Sequence, residues 1–401
     1  MANNQEPRIL IFSTTYLPFI GGAELAVKEI TDRVKDFEFD LITAQLNKNL
    51  AKFEKMGNVN IYRVGRGWIL DKYLFPWLAY FKAKKLHREK DYQIVQAIMA
   101  FYAGLAALFF KWRYPQVKYL LTMQSGDSDF FIWLRTWFWY PLYKKIYTEP
   151  DYIQAISSFL VKRAEKYGYR GKIEIVPNGV DLTKFSRIKV RPFDHDLASQ
   201  GRGISRSDLE IRHALRIKPD EKIIMGGSRL VKKNGLDDLI KTGQYLNFPY
   251  RILLMGDGSE RNNLESIAQR LKIEDKIIFI GKYDNDDLSK YLSIADVFVR
   301  PSLSEGLGSA FLEAMAAGLP VIGTPVGGIP DFLKDEQTGL FCQVNNPKDI
   351  AEKILYILDS KNKEQIEEIK ENAKQMVENK YNWDLISEKM RKIFKGLIFF
   401  N

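Results

Sequence analysis

Apolar residues fall in short blocks along this chain, and two kinds of spacing alternate between them. Residues 8–12 (RILIF) form a nearly unbroken apolar run of strand length, as expected of a strand covered on both faces. A glycine-bearing loop, Pro18-Phe19-Ile20-Gly21-Gly22, follows. Residues 23–34 then place Leu25, Ala26, Ile30 and Val34 at helical spacing. Further strand-like runs occupy 39–43, 59–64, 94–97, 118–122, 152–156 and 173–176. A second set covers 222–225, 251–255, 276–280, 297–299, 321–323 and 339–342, with helical segments between most of them. Strands alternating with helices predict a parallel sheet in each half. The expected fold class is α/β, with two doubly wound parallel-sheet (Rossmann-like) domains facing a central cleft, and ligands at the carboxyl ends of the strands.

The length of 401 residues agrees with two cores rather than one. The turn signal Pro177-Asn178-Gly179-Val180-Asp181 closes the first half. Residues 186–210, with Pro192, Gly201 and Gly203 and few large apolar side chains, read as a linker or surface insertion. The expected division is 1–185 for the first domain and 186–380 for the second. A helical pattern runs over 364–394, and the C-terminal helix, 381–401, is expected to pack back on the first domain. Residues 92–110 are uncharged, but Gln93, Gln96 and Gly104 interrupt them. They read as a strand and a helix rather than a membrane span.

Composition narrows the picture. One cysteine, Cys342, excludes a disulfide framework and points to a reducing compartment. The three histidines, His87, His195 and His213, show no metal-ligand spacing. The N-terminal MANNQEPR lacks the charged-then-apolar layout of a secretory leader. The net charge is +10 and unevenly placed: residues 61–147 carry 14 Lys+Arg against 5 Asp+Glu, and six of the seven tryptophans. That mixture suits an anionic membrane interface, and equally a buried aromatic core with a basic rim. No nucleic-acid-binding signature is present.

The most specific stretch is 300–330, RPSLSEGLGSAFLEAMAAGLPVIGTPVGGIP. Glu305 precedes Glu313 by eight residues, with Gly306 and Gly308 between them and an Ala-rich helix pattern through the second acid. Glu305 therefore lies in the loop entering a helix, and Glu313 inside it. Glycines at a helix N-terminus offer backbone N–H groups to a phosphate or diphosphate. Two acids beside an anion site suit neutral hydroxyls. A sugar nucleotide presents both. Elsewhere, Gly256-Asp257-Gly258 is a tight turn after a strand. Arg229, Lys232 and Lys233 follow another strand end and, on local residues alone, read as a solvated loop.

Taken together, GGSRLVKKNG, LMGDGSE, FIGKY and RPSLSEGLGSAFLEAMAAGLPVIGTPVGGIPD resemble glycosyltransferase family 4, retaining enzymes of the GT-B fold. YLPFIGGAE and VPNGVD in the first half resemble that family's glycine loop and interdomain segment. The resemblance implies that Glu305 lies by the transferred sugar, with the backbone of Gly306, Leu307 and Gly308 near it, and that Glu313 holds the ribose hydroxyls. It places Arg229 and Lys233 at the diphosphate, Gly21, Gly22 and Gly256 at the donor, and Tyr283 beside the nucleobase. Two departures stand out. Asn234 replaces the family's usual lysine, leaving Lys232 or Lys233 to supply charge. Gln124 replaces a frequent histidine, so any proton role there is vacant or falls to Asp127, both on the acceptor side. No Asp-x-Asp metal pair is convincing: Asp194-x-Asp196 lies in the linker, and Asp127-x-Asp129 reads as a loop acid pair.

The expected function is a retaining, metal-independent hexosyltransferase that uses no cofactor. It would move a sugar from a nucleotide-sugar donor to a lipid-linked, polysaccharide or glycoconjugate precursor. The expected location is cytoplasmic, at the inner face of the membrane, with an anionic membrane surface as a contact and no nucleic acid. A sugar-nucleotide epimerase or hydrolase, and a non-catalytic sugar-nucleotide-binding subunit, are the competing readings. The run Phe130 to Tyr140, read as a helix, carries aromatics on every face, is the most exposed-looking aromatic stretch, and is expected to contact a membrane surface that presents a lipid-linked acceptor.

Overall fold

The structure, a computed structural model, describes residues 6–19, 21–68, 70–185, 205–227, 229–282 and 285–399. Tyr283, the Asp194-x-Asp196 pair and 186–204 of the expected linker lie outside the described residues. The chain forms two compact units, Met1–Gly179 with Trp383–Asn401, and Val180–Asn382.

The first unit holds strands β1 (Arg8–Phe12), β2 (Glu38–Ala44), β3 (Phe53–Met56), β4 (Val59–Val64), β5 (Ile94–Ile98), β6 (Lys118–Met123), β7 (Tyr152–Ala155) and β8 (Lys172–Ile175). They form one sheet in the order β3-β4-β2-β1-β5-β6-β7-β8. The sheet is parallel except at one edge, where β3 pairs antiparallel with β4. β1 lies between β2 and β5, and Ile9, Leu10, Ile11 and Phe12 are buried. That position explains its unbroken apolar run. β3 was not foreseen from sequence. Its residues, FEKM, stay exposed or half-buried, so no apolar run marks them. The two-residue turn Gly57-Asn58, with Gly57 at φ 57°, is the signal that joins β3 to β4.

The helical pattern expected over 364–394 is two helices, Lys363–Lys380 and Trp383–Phe399. They part where the chain crosses residue 180: the Val180 N–H donates to the Tyr381 carbonyl at 2.6 Å. The second helix belongs to the first unit. Ile386, Met390, Ile393 and Phe394 join its core, and Arg391 and Lys395 both pair with Asp36 at 2.9 Å. Truncating a buried aromatic such as Phe394 costs on the order of 3–5 kcal/mol.

The second unit holds β9 (Lys222–Gly227), β10 (Tyr250–Met255), β11 (Ile277–Gly281), β12 (Val297–Arg300), β13 (Val321–Gly323) and β14 (Leu340–Phe341). Their order is β11-β10-β9-β12-β13-β14, and every pairing is parallel. Residues 206–210, expected as linker, instead open the helix Arg206–Ala214. The Ser205 hydroxyl caps it by accepting from the Asp208 N–H at 3.1 Å. No helix among the described residues is long and apolar enough to cross a membrane.

Candidate functional site

In the second unit, loops leaving the carboxyl ends of β9, β10, β12 and β13 are bound to one another. The turn after β9 carries Arg229, which is exposed, Lys233, which is half-buried, and Asn234, which is buried. It meets the turn after β10 through the Leu230 N–H, which donates to the Asp257 carbonyl at 3.0 Å, and through the Glu260 N–H, which donates to the Leu230 carbonyl at 2.9 Å. Gly256, at φ 117°, donates its N–H to Gly281 on β11. The same β9 turn meets the loop after β12: the Leu303 N–H donates to the Lys233 carbonyl at 2.7 Å. Gly235, at φ 65°, lies so close that a Cβ there would overlap the carbonyl oxygen of Pro301. These glycines therefore serve loop-to-loop contact as well as any ligand.

Glu305 sits in the β12 loop with its side chain 13% exposed. Both carboxylate oxygens are engaged. Oε1 accepts from the Gly306 N–H at 3.1 Å and Oε2 pairs with the Arg300 guanidinium. Its backbone carbonyl accepts from the Gly328 N–H at 3.1 Å, in the turn after β13. Leu307 is buried. Gly308, at φ 100°, is the N-cap of the helix Ser309–Ala316, a conformation that strains any side chain. The first-turn N–H groups of a helix in general suit an anion, although here the Phe311 N–H already donates to the Gly308 carbonyl at 2.9 Å. Glu313 lies within the helix and is half-buried. Desolvation raises its pKa to about 7, while the charge of Arg300 pulls the other way.

Arg300 has no counterpart in the sequence reading. It ends β12, is 7% exposed on its side chain, and donates to Asn234 Oδ1 at 2.9 Å. Asn234 in turn donates to the Arg229 carbonyl at 2.6 Å. The Asn234 departure thus meets a buried cation from the end of β12 in one contact. The only signal available beforehand was a lone cation at a strand end.

The first unit brings a separate group together. Gly21 is the N-cap of the helix Gly22–Arg33. Gln124 and Asn178 exchange two hydrogen bonds, at 3.0 and 2.9 Å, and Asn178 also reaches the Gly22 carbonyl at 3.5 Å. Gln124 and Asp127 line a cavity of about 210 Å³ with Phe101, Tyr102, Phe131 and Arg135. Asp127 accepts from Arg163 through its backbone carbonyl at 2.5 Å, and Asp129 is paired with Arg163 and Lys166.

The expected single aromatic helix is broken in three. Asp129–Thr136 is helical, Trp137–Trp139 is a 3-10 turn, and a new helix opens at Tyr140–Thr148 with a proline in its first turn. Phe130, Trp133, Trp137 and Phe138 are 54–72% exposed.

Comparison with known proteins places both halves in one class. Residues 20–184 match the profile of Glycosyltransferase Family 4, and residues 207–395 that of Glycosyl transferases group 1. An uncharacterized glycosyltransferase of Methanocaldococcus jannaschii is 26% identical over 97% of this chain and 98% of its own. The alpha-monoglucosyldiacylglycerol synthase of Streptococcus pneumoniae is 23% identical over 83% of this chain and 74% of that protein. Among solved structures, sucrose-phosphate synthase from Thermosynechococcus elongatus superposes with a TM-score of 0.80, 21% identity and coverage of 98% and 99%. Anabaena HepE in complex with UDP-glucose gives 0.77, 16% identity and coverage of 97% and 99%. The fold is GT-B and the protein is a glycosyltransferase. Within that class, the chain belongs to glycosyltransferase family 4.

Proposed function

We propose that this protein is a retaining hexosyltransferase. It takes a nucleotide sugar as donor and delivers the sugar to a lipid-linked or glycoconjugate acceptor at an anionic membrane surface. The observation that carries the reading is the loop Glu305-Gly306-Leu307-Gly308 leading into the helix with Glu313. It sets an anchored carboxylate, a glycine helix start and a second carboxylate at the carboxyl end of β12. The helix start and Arg229 with Lys233 meet the diphosphate, Glu313 the ribose, and Glu305 the sugar. The solved complex of a GT-B neighbour, Anabaena HepE, with UDP-glucose supports the donor class.

In the proposed reaction the sugar C1–O bond to the leaving phosphate breaks as the C1–O bond to the acceptor hydroxyl forms on the same face. The acceptor proton passes to the departing phosphate oxygen. Negative charge grows on that phosphate, so donors already oriented toward it lower the barrier. The reading needs no metal ion or cofactor, because side-chain cations and helix N–H groups face the developing charge.

The acceptor side rests on the first unit. Ring contacts run from Tyr73 through Tyr102 and Phe101 to Trp139, at 5.7, 4.6 and 5.5 Å, and tie the exposed aromatics near 68–81 to those of 130–140. Two groups of exposed aromatics joined through half-buried rings, in a basic region, fit headgroup depth in an anionic bilayer. The relative named for a diacylglycerol glycolipid agrees with a lipid acceptor. The test is transfer from a panel of UDP- and GDP-sugars to lipid extracts, with Glu305→Ala as control. Transfer should fall by roughly a hundredfold or more with the variant's melting temperature kept. Full transfer by Glu305→Ala would remove the assigned site.

A further inference from the structure

A buried cation stands behind the candidate donor loop. The Arg300 guanidinium is 7% exposed and holds two partners through one nitrogen, Asn234 Oδ1 at 2.9 Å and Glu305 Oε2. Its Nε is buried and makes no hydrogen bond. Packing alone gives no reason for such a group. An apolar side chain of similar bulk would close the end of β12 without desolvating a charge or leaving an N–H unmade.

The chemistry of Asn234 clarifies what the cation does. This amide is 2% exposed and works as an adapter: its oxygen accepts from Arg300 and its nitrogen donates to the Arg229 carbonyl. A lysine at 234 accepts nothing and would set a second cation against the guanidinium. A lysine also reaches further than an asparagine by about the length of one hydrogen bond, so its ammonium would fall near where the guanidinium now lies. Charge at this place is thus supplied from 300 or from 234, and not from both.

We infer that Arg300 is a positioning residue for the transfer: its buried charge, joined to the Gly306 N–H on the other oxygen, fixes the Glu305 carboxylate in one orientation and provides the positive potential that Asn234 lacks. The inference rests on the reading of Glu305 as the group beside the transferred sugar. With both oxygens held from the protein side, Glu305 presents its remaining lone pairs in one direction. Without Arg300 the carboxylate keeps only the Gly306 N–H as its anchor.

A double-mutant cycle tests this, with kcat, donor KM and melting temperature measured for Arg300→Leu, Asn234→Lys and the two combined, beside Glu305→Ala. Each single change should lower kcat by roughly a hundredfold and shift KM far less, since the group orients a residue rather than gripping the donor. The combined variant should regain at least about tenfold over either single one. A folded Arg300→Leu with kcat within about threefold of the parent overturns the inference, as does a folded combined variant no better than the worse single. If Arg300→Leu does not fold, Arg300→Lys keeps the charge and loses the fork. A drop of about tenfold in its kcat is then expected, and an unchanged kcat overturns the idea. Glu305→Ala separates the two failures. If it stays active the site reading falls; if it is inactive while Arg300→Leu is active, only the role of Arg300 falls.

Discussion

The two units handle charge and apolar surface in opposite ways. In the second unit the loops at the carboxyl ends of β9, β10, β12 and β13 are fastened by backbone hydrogen bonds, and their central cation is buried against Asn234 and Glu305. In the first unit many cations lie in a region that keeps a subset of its aromatic side chains exposed, with Phe130 and Phe138 each above 70%. Buried, paired charges act at short range and depend on geometry to tenths of an ångström. Exposed rings beside solvated cations tolerate small shifts and respond to salt. The first arrangement suits a small ligand held in one pose. The second suits an extended, fluid partner. Each arrangement should therefore fail alone, and the variants below are chosen to separate them.

Among the variants that separate the two units, the largest effect is expected from Gly235→Ala. Gly235 adopts φ 65°, and a Cβ would overlap the Pro301 carbonyl oxygen, so the β9 turn must move off the β12 loop. Since Asn234 travels with it, transfer should fall by about thirtyfold or more, along with the thermal shift given by a UDP-sugar. Binding to anionic vesicles should be unchanged. If vesicle binding falls equally, the two regions are coupled and the comparison breaks.

The converse variant is Phe130→Ser/Trp137→Ser/Phe138→Ser. These side chains are exposed, so the fold loses little, while the apolar area offered to a bilayer shrinks. Co-sedimentation with anionic vesicles should weaken by about tenfold or more, and transfer to a lipid acceptor with it, leaving the donor-induced thermal shift intact. Equal binding of the parent protein to neutral and anionic vesicles at low salt would count against the membrane face.

Much of this layout was readable in the residues. Buried parallel strands such as β1 announce themselves because burial on both faces demands apolar side chains throughout. The Glu305/Glu313 pair was readable because its spacing straddles a helix start marked by Gly308. β3 was not, because an edge strand with the sequence FEKM needs no apolar face. The break of the 130–140 run has a sequence signal in Pro141, at the start of the helix Tyr140–Thr148, which the aromatic pattern does not register. Arg300 was hidden for a different reason. Its meaning depends on Asn234, 66 residues earlier, and a pair so distant becomes visible only when two strand ends meet. The exposure of Phe130 and Trp137 matches the expected exposed aromatic run, which rested on aromatics falling on every helix face.

The smallest effect, and the one that sharpens the comparison most, concerns Glu313. Its pKa is raised from the ordinary 4.5 to about 7 by burial, with Arg300 opposing the rise. A raised folded-state value means the carboxyl favours stability below about pH 4.5, and that contribution is lost as pH climbs through 7. Glu313→Gln should therefore raise the melting temperature by a few degrees at pH 8 and hardly at all at pH 4.5. Donor binding should run the other way. A ribose hydroxyl donates more strongly to a carboxylate than to a neutral acid, so affinity for a UDP-sugar should drop several-fold between pH 8 and pH 6 in the parent protein. In Glu313→Gln it should be weaker and flat over that range. Opposite pH slopes for stability and donor affinity, both abolished by one substitution, would show a charge kept at a structural cost for its use in binding. Parallel slopes, or a pH-dependent donor affinity that survives Glu313→Gln, would leave Glu313 as a packing residue and move the ribose contact elsewhere.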